Sequence, residues 1–424
     1  MKNNTFKIVS LLTLAISTSA YAENLEEVLS HTYKNNPQIQ SSIKDLEIAD
    51  EKIYEAFSAF LPEITANVSL LDYDFEDENA FSQFMAPDRT YGASLSQPIF
   101  TGGQEFYAYK AIKRLKDIQV STTQLKKDEI IIETASAYMN IIKTAGTHKL
   151  NLNSEKLRKN QLEATKAMFK AGSQTKTEVF SAESALFAAE TNTVHSKGDL
   201  DIAKEKFKEL TGKYPEDELE MPFIPELNLP QTKEEFIEKV LLKNNQIKIA
   251  KNNYQYYKAI KHTNIGNMLP QIKGTIDYSK SEWDNNDDLD SGSTKFAITA
   301  SMDIFKGGRN LSKYEQDALK AESELHLYQN TKNEVTTQAN ELWTNYQTVV
   351  ASKKSYKKQV SSAKNALDAT VIEYKLGKKN IFDFQKAEND FIEASINLLD
   401  AQKDQITLYL QILSAMGELD KIID

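Results

Sequence analysis

Few side chains in this sequence have the types and spacing that catalysis or metal binding requires. There is no cysteine, which excludes a thiol nucleophile, a cysteine-bound metal and a disulfide framework. The five histidines are scattered and include no HExxH pair that would bind zinc. There is also no phosphate-binding glycine loop and no G-x-S-x-G nucleophile motif. The sequence therefore predicts a protein that is not an enzyme and needs no cofactor or resident metal.

The segment 284–290 is a cluster of carboxylates in the second predicted hairpin. Asp284, Asp287, Asp288 and Asp290 follow one another closely in it. Carboxylate oxygens are ligands that calcium prefers, but the spacing of these residues does not match an EF-hand loop. We therefore interpret the segment as an exposed acidic loop without a metal.

Residues 1–22 have the organisation of a secretory signal peptide. Lys2 and Lys7 supply the positive start, residues 8–16 form a short apolar run, and residues 20–22 form a small-residue cleavage site. Removing this segment changes the net charge from −10 to −12, which argues against nucleic acid as a partner. No other segment is apolar enough to span a membrane as a helix. The exported protein is therefore either soluble or crosses an outer membrane as a β-barrel.

The stretch Arg309–Leu376 has 68 residues without a glycine or a proline. Apolar side chains recur in it at alternating spacings of three and four, with exceptions at Lys332, Lys353 and Thr370. This repeat of 3.5 residues predicts a helix that coils against neighbouring helices. At a rise of ~1.5 Å per residue the helix is roughly 100 Å long, which is far beyond the helices of ordinary compact domains.

The chain consists of two copies of an internal sequence repeat. Short motifs recur at offsets of 205 to 209 residues. The matched positions are 35–36 with 244–245, 61–62 with 269–270, 99–103 with 304–308, Gly172 with Gly377, and Gly212 with Gly417. The first repeat is thus predicted at 23–212 and the second at 232–424, joined by a proline-rich connector at 213–231.

Each repeat is predicted to contain a helix, a β-hairpin, a long helix and a returning helix. Prolines after the first helix and glycines after the long helix mark the boundaries. Apolar and polar residues alternate at 271–279 and 296–304, which predicts half-buried strands. The predicted elements span 25–60, about 62–100, 104–171 and 175–210 in the first repeat, and 233–268, about 270–305, 309–376 and 379–417 in the second.

Two hairpins supply only four strands, which cannot close a barrel with a usable interior. An open sheet edge is not tolerated in hydrocarbon, because its backbone groups would have no hydrogen-bond partners. Either the strands form a soluble sheet or several chains pool them. Three chains would supply 12 strands, an even number within the range of bacterial barrels, and would place their long helices side by side as a cylinder.

The sequence resembles the TolC family of outer-membrane channel-tunnels over essentially all of the mature chain. The resemblance rests on the Gln97–Gly103 junction and its echo at 304–308, on the Tyr374–Gly377 turn followed by Ile381–Asp383, and on the closing Ala415–Gly417. It implies a mainly α fold with membrane β-strands: a homotrimer with a 12-strand barrel in the bacterial outer membrane and an α-helical tunnel in the periplasm. The absence of a cysteine after the signal resembles the non-lipidated branch.

The resemblance also implies which residues close the periplasmic end of the tunnel. The matching positions are Tyr374, Lys379 and Asp383, with Glu178 as the counterpart of Asp383 in the first repeat. Three Asp383 carboxylates around one axis would attract cations. Many relatives carry a second acid where this chain has Lys386, and we expect Lys386 to pair with Asp383 one helical turn away. The alternative is that these acids lie on a solvated face near a helix N-terminus, where carboxylates are common.

Partners and cargo follow from the same resemblance. The turns at Gly172 and Gly377 are expected to contact a periplasmic adaptor (membrane fusion protein), which links the channel to an inner-membrane pump of the RND or ABC type. The barrel would contact outer-membrane lipid. The cargo is either small toxic compounds or secreted polypeptides. The alternative function is a secreted or periplasmic coiled-coil scaffold or adaptor protein, which would not need two matched hairpins.

Overall fold

The computed structural model describes residues 24–72, 87–216, 219–222, 229–283 and 287–422. The predicted signal peptide at 1–22 lies outside the described residues, as do residues 73–86 of the first hairpin and residues 284–286 of the acidic segment. Parts of the connector, residues 217–218 and 223–228, lie outside as well.

The described chain is mainly helical and contains one four-stranded antiparallel sheet, which confirms the predicted mixture of elements. The helices are α1 Leu25–Asn35, α2 Pro37–Ser58, α3 Gln104–Lys170, α4 Lys176–Thr211, α5 Lys233–Lys243, α6 Asn245–Gly266, α7 Arg309–Lys375 and α8 Ile381–Ala415. The strands are β1 Glu63–Leu70, β2 Arg89–Phe100, β3 Gln271–Glu282 and β4 Ser291–Ser301. Short 3₁₀ turns occupy Asp287–Leu289 and Leu419–Ile422.

The two long helices, α3 and α7, each have 67 residues and lie at equivalent places in the two halves. Each starts after a glycine with positive φ, at Gly103 and Gly308. α3 packs against α2, α4, α6 and α8, while α7 packs against α5, α6 and α8. In the part of the chain that the structure describes, none of the helices has the length and apolarity needed to cross a lipid bilayer.

The first helix of each half is broken, so the single helices predicted at 25–60 and 233–268 are wrong. The break falls at Asn36 and at Asn244, whose backbone is extended (ψ 125° and 131°). Each asparagine caps the helix that follows it: the Asn36 Oδ1 accepts hydrogen bonds from the next helix at 2.9 and 3.3 Å, and Asn244 does the same at the same distances. A side chain that caps the second helix stops the first one from continuing.

The same two asparagines also tie each joint to the returning helix of its own half. The Asn36 amide donates to the carbonyl of Leu210 at 2.8 Å, and the Asn244 amide donates to the carbonyl of Ala415 at 3.4 Å. Asn36 therefore corresponds to Asn244, an offset of 208 residues. The predicted match of 35–36 with 244–245 is one residue out of register.

The sheet has the strand order β1-β2-β3-β4, and its register places apolar residues on one face. Ile64, Leu95, Ile276 and Phe296 are successive cross-strand neighbours in one row. The adjacent row, on the opposite face, is polar throughout. Its members are Thr65, Ser94, Asp277 and Lys295.

The apolar face of the sheet is open in the single chain, since Ile64 and Phe296 are each 73% exposed. Among the described residues, the outer strands β1 and β4 each pair on one side only. β4 ends at Ser301 and not at the predicted residue 304, because its neighbour β3 begins at Gln271, directly after Pro270. Proline has no N–H with which to extend the ladder.

Two buried clusters hold the helices together. The larger one lies midway along the long helices and collects side chains from α1, α3, α4, α5, α6, α7 and α8, including Leu29, Tyr138, Phe207, Phe236 and Ile412. The smaller one, which we call the tip core, lies near the turns at Gly172 and Gly377. Its buried members are Leu162, Ala182, Leu186, Leu367, Tyr374, Ile381 and Phe384.

A buried carboxylate joins α3 to the end of the chain beside the larger cluster. Asp128 is 3% exposed and accepts hydrogen bonds from the Ser414 hydroxyl at 2.6 Å and the Gln124 amide at 2.9 Å. Burial raises the pKa of Asp128 to about 6, although these two hydrogen bonds oppose the rise. The ionised carboxylate is therefore costly at neutral pH, and its protonated form suits the buried site better.

We expect acidification to stabilise the protein through Asp128. The folded pKa of about 6 lies above the reference value of 3.8, so the stabilisation is complete below about pH 3.8 and is lost as the pH rises through about 6. Two pKa units correspond to at most about 3 kcal/mol. Unfolding midpoints measured from pH 7.5 to 4.5 should change less for Asp128→Asn than for wild type.

The control is Asp199→Asn, which removes an exposed carboxylate from α4. This variant should keep the pH dependence of the wild type. Equal pH dependence in Asp128→Asn and wild type would show that the ionisation of Asp128 does not contribute.

Candidate functional site

The turns that end the long helices have the same construction in both halves. Gly172 and Gly377 take positive φ values of 78° and 70°. The next residue closes the turn by donating its N–H to a carbonyl five positions back, from Ser173 to Met168 at 3.0 Å and from Lys378 to Glu373 at 2.9 Å. No atom lies within 4 Å of a Cβ built on either glycine. Glycine is therefore needed for its backbone conformation and not for close packing.

The two candidate gate acids cap the returning helices. The Glu178 carboxylate accepts from the N–H of Thr175 at 2.7 Å, and the Thr175 hydroxyl accepts from the N–H of Glu178 at 3.3 Å. Asp383 and Asn380 form the same reciprocal pair, at 3.3 and 2.9 Å. Both acids are partly exposed at the start of a helix. Each therefore has a local structural role, which is the alternative that the sequence left open.

The lysines near the second turn do not neutralise Asp383 within one chain. The Lys386 ammonium lies 3.7 Å from the carboxylate of Asp390, so the expected pair between Lys386 and Asp383 is wrong. The physical reason is that the Asp383 carboxylate turns back to cap Asn380. Lys379 is exposed in the turn.

Tyr374 belongs to the tip core and is only 3% exposed. Its ring centroid lies 6.0 Å from that of Phe384, and its hydroxyl lies 3.3 Å from that of Thr165. Tyr374 thus joins the turn between α7 and α8 to the side of α3. Within the single chain it acts as a packing residue.

The structure shows a buried ion pair beside the tip core that the sequence did not predict. The Nε atom of Arg158 on α3 lies 2.6 Å from a carboxylate oxygen of Glu388 on α8, and the two side chains are 8% and 2% exposed. Ser154 donates to the other carboxylate oxygen at 2.7 Å, and Arg158 also donates to Asn389 at 3.2 Å. Burial raises the pKa of Glu388, while Arg158 and Ser154 oppose this rise.

This pair connects the two helical hairpins at the end that carries the candidate gate. α3 and α4 form one hairpin, α7 and α8 form the other, and α3 packs directly on α8. Nothing in the sequence brings Arg158 and Glu388 together, because they lie 230 residues apart on helices whose rotation the heptad pattern does not determine.

The arrangement contains no catalytic constellation or metal centre within the described ranges. No group of three or more His, Asp or Glu side chains is placed there to hold a metal ion. A cavity of about 530 Å³ lies between α3, α4 and α8, beside Arg158. It is lined mainly by alanine, asparagine and isoleucine side chains. The described geometry is that of a long helical scaffold bearing a sheet with one apolar face.

A family model described as "Outer membrane efflux protein" matches residues 28–213 and 237–418. The chain belongs to the outer membrane efflux protein family. It is therefore an efflux channel of the outer membrane, and members of this family are channels rather than enzymes. This identification favours the channel over the alternative of a secreted coiled-coil scaffold or adaptor.

Individual relatives of this efflux channel match along nearly its whole length. It is 24% identical to the outer membrane efflux protein BepC of Brucella suis over 414 residues, which cover 96% of this chain and 88% of that protein. It is 24% identical to the outer membrane protein TolC of Escherichia coli over 434 residues, with coverages of 98% and 86%. The crystal structure of the Campylobacter jejuni CmeC outer membrane channel has the same fold. The two structures superpose with a TM-score of 0.82 at 16% sequence identity. The match covers 94% of this chain and 86% of the CmeC chain.

We expect the Arg158–Glu388 pair to stabilise the tip of this channel. Glu388→Ala would leave the guanidinium buried without its partner, which typically costs about 3–5 kcal/mol. The double variant Arg158→Met/Glu388→Met should recover most of that loss, because no charge remains buried. Denaturant unfolding measures the loss, and limited proteolysis should show faster cleavage near the two turns in Glu388→Ala.

Asp400→Ala provides the matched control. Asp400 also joins α8 to α3, through Lys143 at 2.5 Å, but its side chain is 39% exposed. A pair so open to water should contribute less than about 1 kcal/mol. A similar loss in Asp400→Ala and Glu388→Ala would mean that burial does not set the contribution of the Arg158–Glu388 pair.

Proposed function

We propose that this efflux channel is a homotrimer in which three four-stranded sheets close one 12-stranded β-barrel. The carrying observation is the combination of an open apolar face with two unpaired edges, β1 and β4. An apolar face suits contact with lipid, and unpaired backbone groups are not tolerated in hydrocarbon. Pairing β4 of one chain with β1 of the next removes every edge and directs the polar face inward.

The helices would continue the barrel as a tunnel on the periplasmic side. α3 and α7 are each roughly 100 Å long at ~1.5 Å per residue, and α2 and α6 lie beside them. In this arrangement the repeats at 23–212 and 232–424 contribute equivalent helices to the tunnel wall, and the connector at 213–231 would lie around the middle of the tunnel. The signal peptide at 1–22 directs export.

The turns at Gly172 and Gly377 would form the periplasmic tip, farthest from the sheet. We assign to them the contact with a periplasmic adaptor and, through it, with an inner-membrane pump of the RND or ABC type. The names of TolC and BepC describe an outer membrane protein and an outer membrane efflux protein, in keeping with this role. The proposed cargo is small toxic compounds or secreted polypeptides, and copurification of the pump would separate the two.

Near the tip, the returning helices of three chains would converge around one axis. Asp383, Glu178, Lys379 and Lys386 are at least partly exposed near that end and would line the narrowest part. Buried Tyr374 would hold the turn against α3. Cations would concentrate at three Asp383 carboxylates, because like charges around an axis repel one another unless a counter-ion lies between them.

A lysine on the apolar face should prevent assembly, whereas a lysine on the polar face should not. Ile298 is on the apolar face and Thr299, the next residue of β4, is on the polar face. A lysine facing lipid costs up to about 2–4 kcal/mol, with the largest cost at the bilayer centre. Ile298→Lys should therefore lower the amount of detergent-stable trimer in outer-membrane fractions, and Thr299→Lys should leave it near the wild-type level.

The mass of the purified protein in detergent should correspond to three mature chains. The same protein should conduct ions in planar bilayers. A stable monomer in the outer membrane would contradict the trimer. Equal tolerance of Ile298→Lys and Thr299→Lys would show that neither face contacts lipid.

Residue charge at the tip should control block by multivalent cations. Wild-type channels should be blocked only weakly from the periplasmic side, because the exposed Lys386 ammonium adds positive charge near the Asp383 ring although it does not pair with Asp383 within one chain. Lys386→Asp should strengthen the block by adding a second acidic ring, and Asp383→Asn should weaken it. Block is read from the conductance of single channels against the concentration of a trivalent cation.

Asp201→Asn is the control, because Asp201 lies on α4 far from the turn and pairs with Lys197 at 3.6 Å. It should be blocked like wild type. Tight block in wild type that is insensitive to changes at Asp383 and Lys386 would place both residues outside the pore.

A further inference from the structure

A basic and aromatic cavity lies between α3 and α6, close to the sheet. Its volume is about 390 Å³, and we call it the junction cavity. The residues that line it are Tyr107, Lys110, Arg114, Tyr254, Gln255, Lys258, Ala259 and His262. None of them is acidic, so the wall is cationic on both helices.

Two of the three cationic side chains in the wall of the junction cavity have no acidic partner among the described residues. Arg114 pairs with Asp117 at 2.9 Å. Among the described residues, Lys110 and Lys258 form no ion pair with a carboxylate. The cavity therefore presents two lysine charges to whatever enters it, in a protein whose net charge is −10.

The sequence of α6 shows that this charge is not a general requirement of the fold. α6 has four lysines and no carboxylate, whereas α2, its counterpart in the first half, has two lysines and five carboxylates. Both helices pack against α3 and lead into a strand. The same structural role is thus filled by an acidic helix and by a basic one, and the basic one borders the cavity.

Two uncharged groups complete the wall. The ring of His262 stacks on that of Tyr107, with centroids 4.9 Å apart. Burial lowers the pKa of His262, and Lys261, Lys258 and Lys110 lower it further. The charge of the wall therefore comes from its lysines and arginine and not from His262. The Oε1 atom of Gln255 is buried without a hydrogen-bond partner in the described structure, so the wall also has an unused polar group.

The position of the junction cavity relates it to the membrane surface. Sheet and helices meet where Gly102 approaches Gly266, since a Cβ at Gly102 would lie 2.5 Å from the Gly266 carbonyl oxygen. Lys110 follows eight residues later, about 12 Å along the helix at ~1.5 Å per residue. The cavity is therefore near the level of the lipid headgroups if the sheet spans the hydrocarbon.

An aromatic cluster marks the same level on the other side of α3. Phe57, Phe60 and Tyr109 have ring centroids 6.0–6.4 Å apart, and both phenylalanines are exposed. The Lys113 ammonium lies 4.5 Å from the Tyr109 ring. Aromatic side chains of this kind concentrate where a membrane protein crosses the interface.

We propose that the junction cavity binds the phosphate group of an anionic phospholipid in the inner leaflet of the outer membrane. The proposal rests on the membrane placement of the sheet in the proposed function. Lysine and arginine side chains bind phosphate oxygens through charge-assisted hydrogen bonds, and basic pockets between helices at a membrane surface bind anionic headgroups. Tyr107 and Tyr254 supply an amphipathic wall beside the glycerol moiety.

The test measures lipid retained by the purified full-length channel. Delipidated protein in detergent is supplied with phosphatidylglycerol, with phosphatidylcholine or with inorganic phosphate, and bound molecules are counted by native mass spectrometry. Phosphatidylglycerol should be retained over phosphatidylcholine, and inorganic phosphate should not displace it. Lys110→Gln/Lys258→Gln should lower the affinity for phosphatidylglycerol roughly tenfold or more, because two cationic contacts are lost.

The matched control is Lys248→Gln/Lys251→Gln, which removes the same charge from α6 outside the junction cavity. It should bind phosphatidylglycerol like wild type. Equal retention of the two lipids, or an equal loss in both double variants, would overturn the proposal. Displacement by inorganic phosphate at similar concentration would show a site for a free anion and not for a lipid headgroup.

The mass and conductance of each sample separate this proposal from the function it rests on. Wild-type trimers that conduct but show no preference for phosphatidylglycerol would refute the lipid site alone. Wild-type protein that neither forms trimers nor conducts would refute the channel arrangement, and the lipid site with it.

Discussion

The structure depends on one constraint: backbone hydrogen-bonding groups at a sheet edge need partners wherever water is absent. Among the described residues the sheet of this chain has two such edges, β1 and β4, and a face whose apolar residues are largely exposed. A soluble protein would cover that face with a helix. Here the apolar face stays largely exposed in the single chain, and in the proposed trimer lipid would cover this face while neighbouring chains would pair with the edges.

The helical part has long helices that must stay side by side without a large globular core. The two halves hold them with the same set of local contacts. Asn36 and Asn244 make equivalent joints, Gly172 and Gly377 make equivalent turns, and Glu178 makes the same cap as Asp383. Buried contacts concentrate at the middle and at the tip, where charged pairs such as Arg158 with Glu388 add connections between the hairpins.

The sequence predicts local features of this fold well, because periodicity carries them. α7 begins at the predicted residue and ends one residue early, since glycines flank it, and the faces of β3 follow from its period of two. The joint at Asn36 was missed because an asparagine cap leaves the apolar periodicity on either side intact. The pair of Arg158 with Glu388 and the cavity between α3 and α6 depend on how distant helices are rotated against each other. Sequence spacing does not specify that rotation.

The most direct test of the closed sheet uses the absence of cysteine from the chain. Asn67→Cys in β1 is combined in turn with Ser293→Cys, Lys295→Cys or Ala297→Cys in β4, all on the polar face. Within one chain β1 and β4 are three strand spacings apart, about 14 Å, which is too far for a disulfide. At least one pair should form covalent dimers and trimers on oxidation, and nothing larger. No disulfide at any of the three positions, or a ladder that continues beyond three chains, would contradict a barrel closed by three sheets.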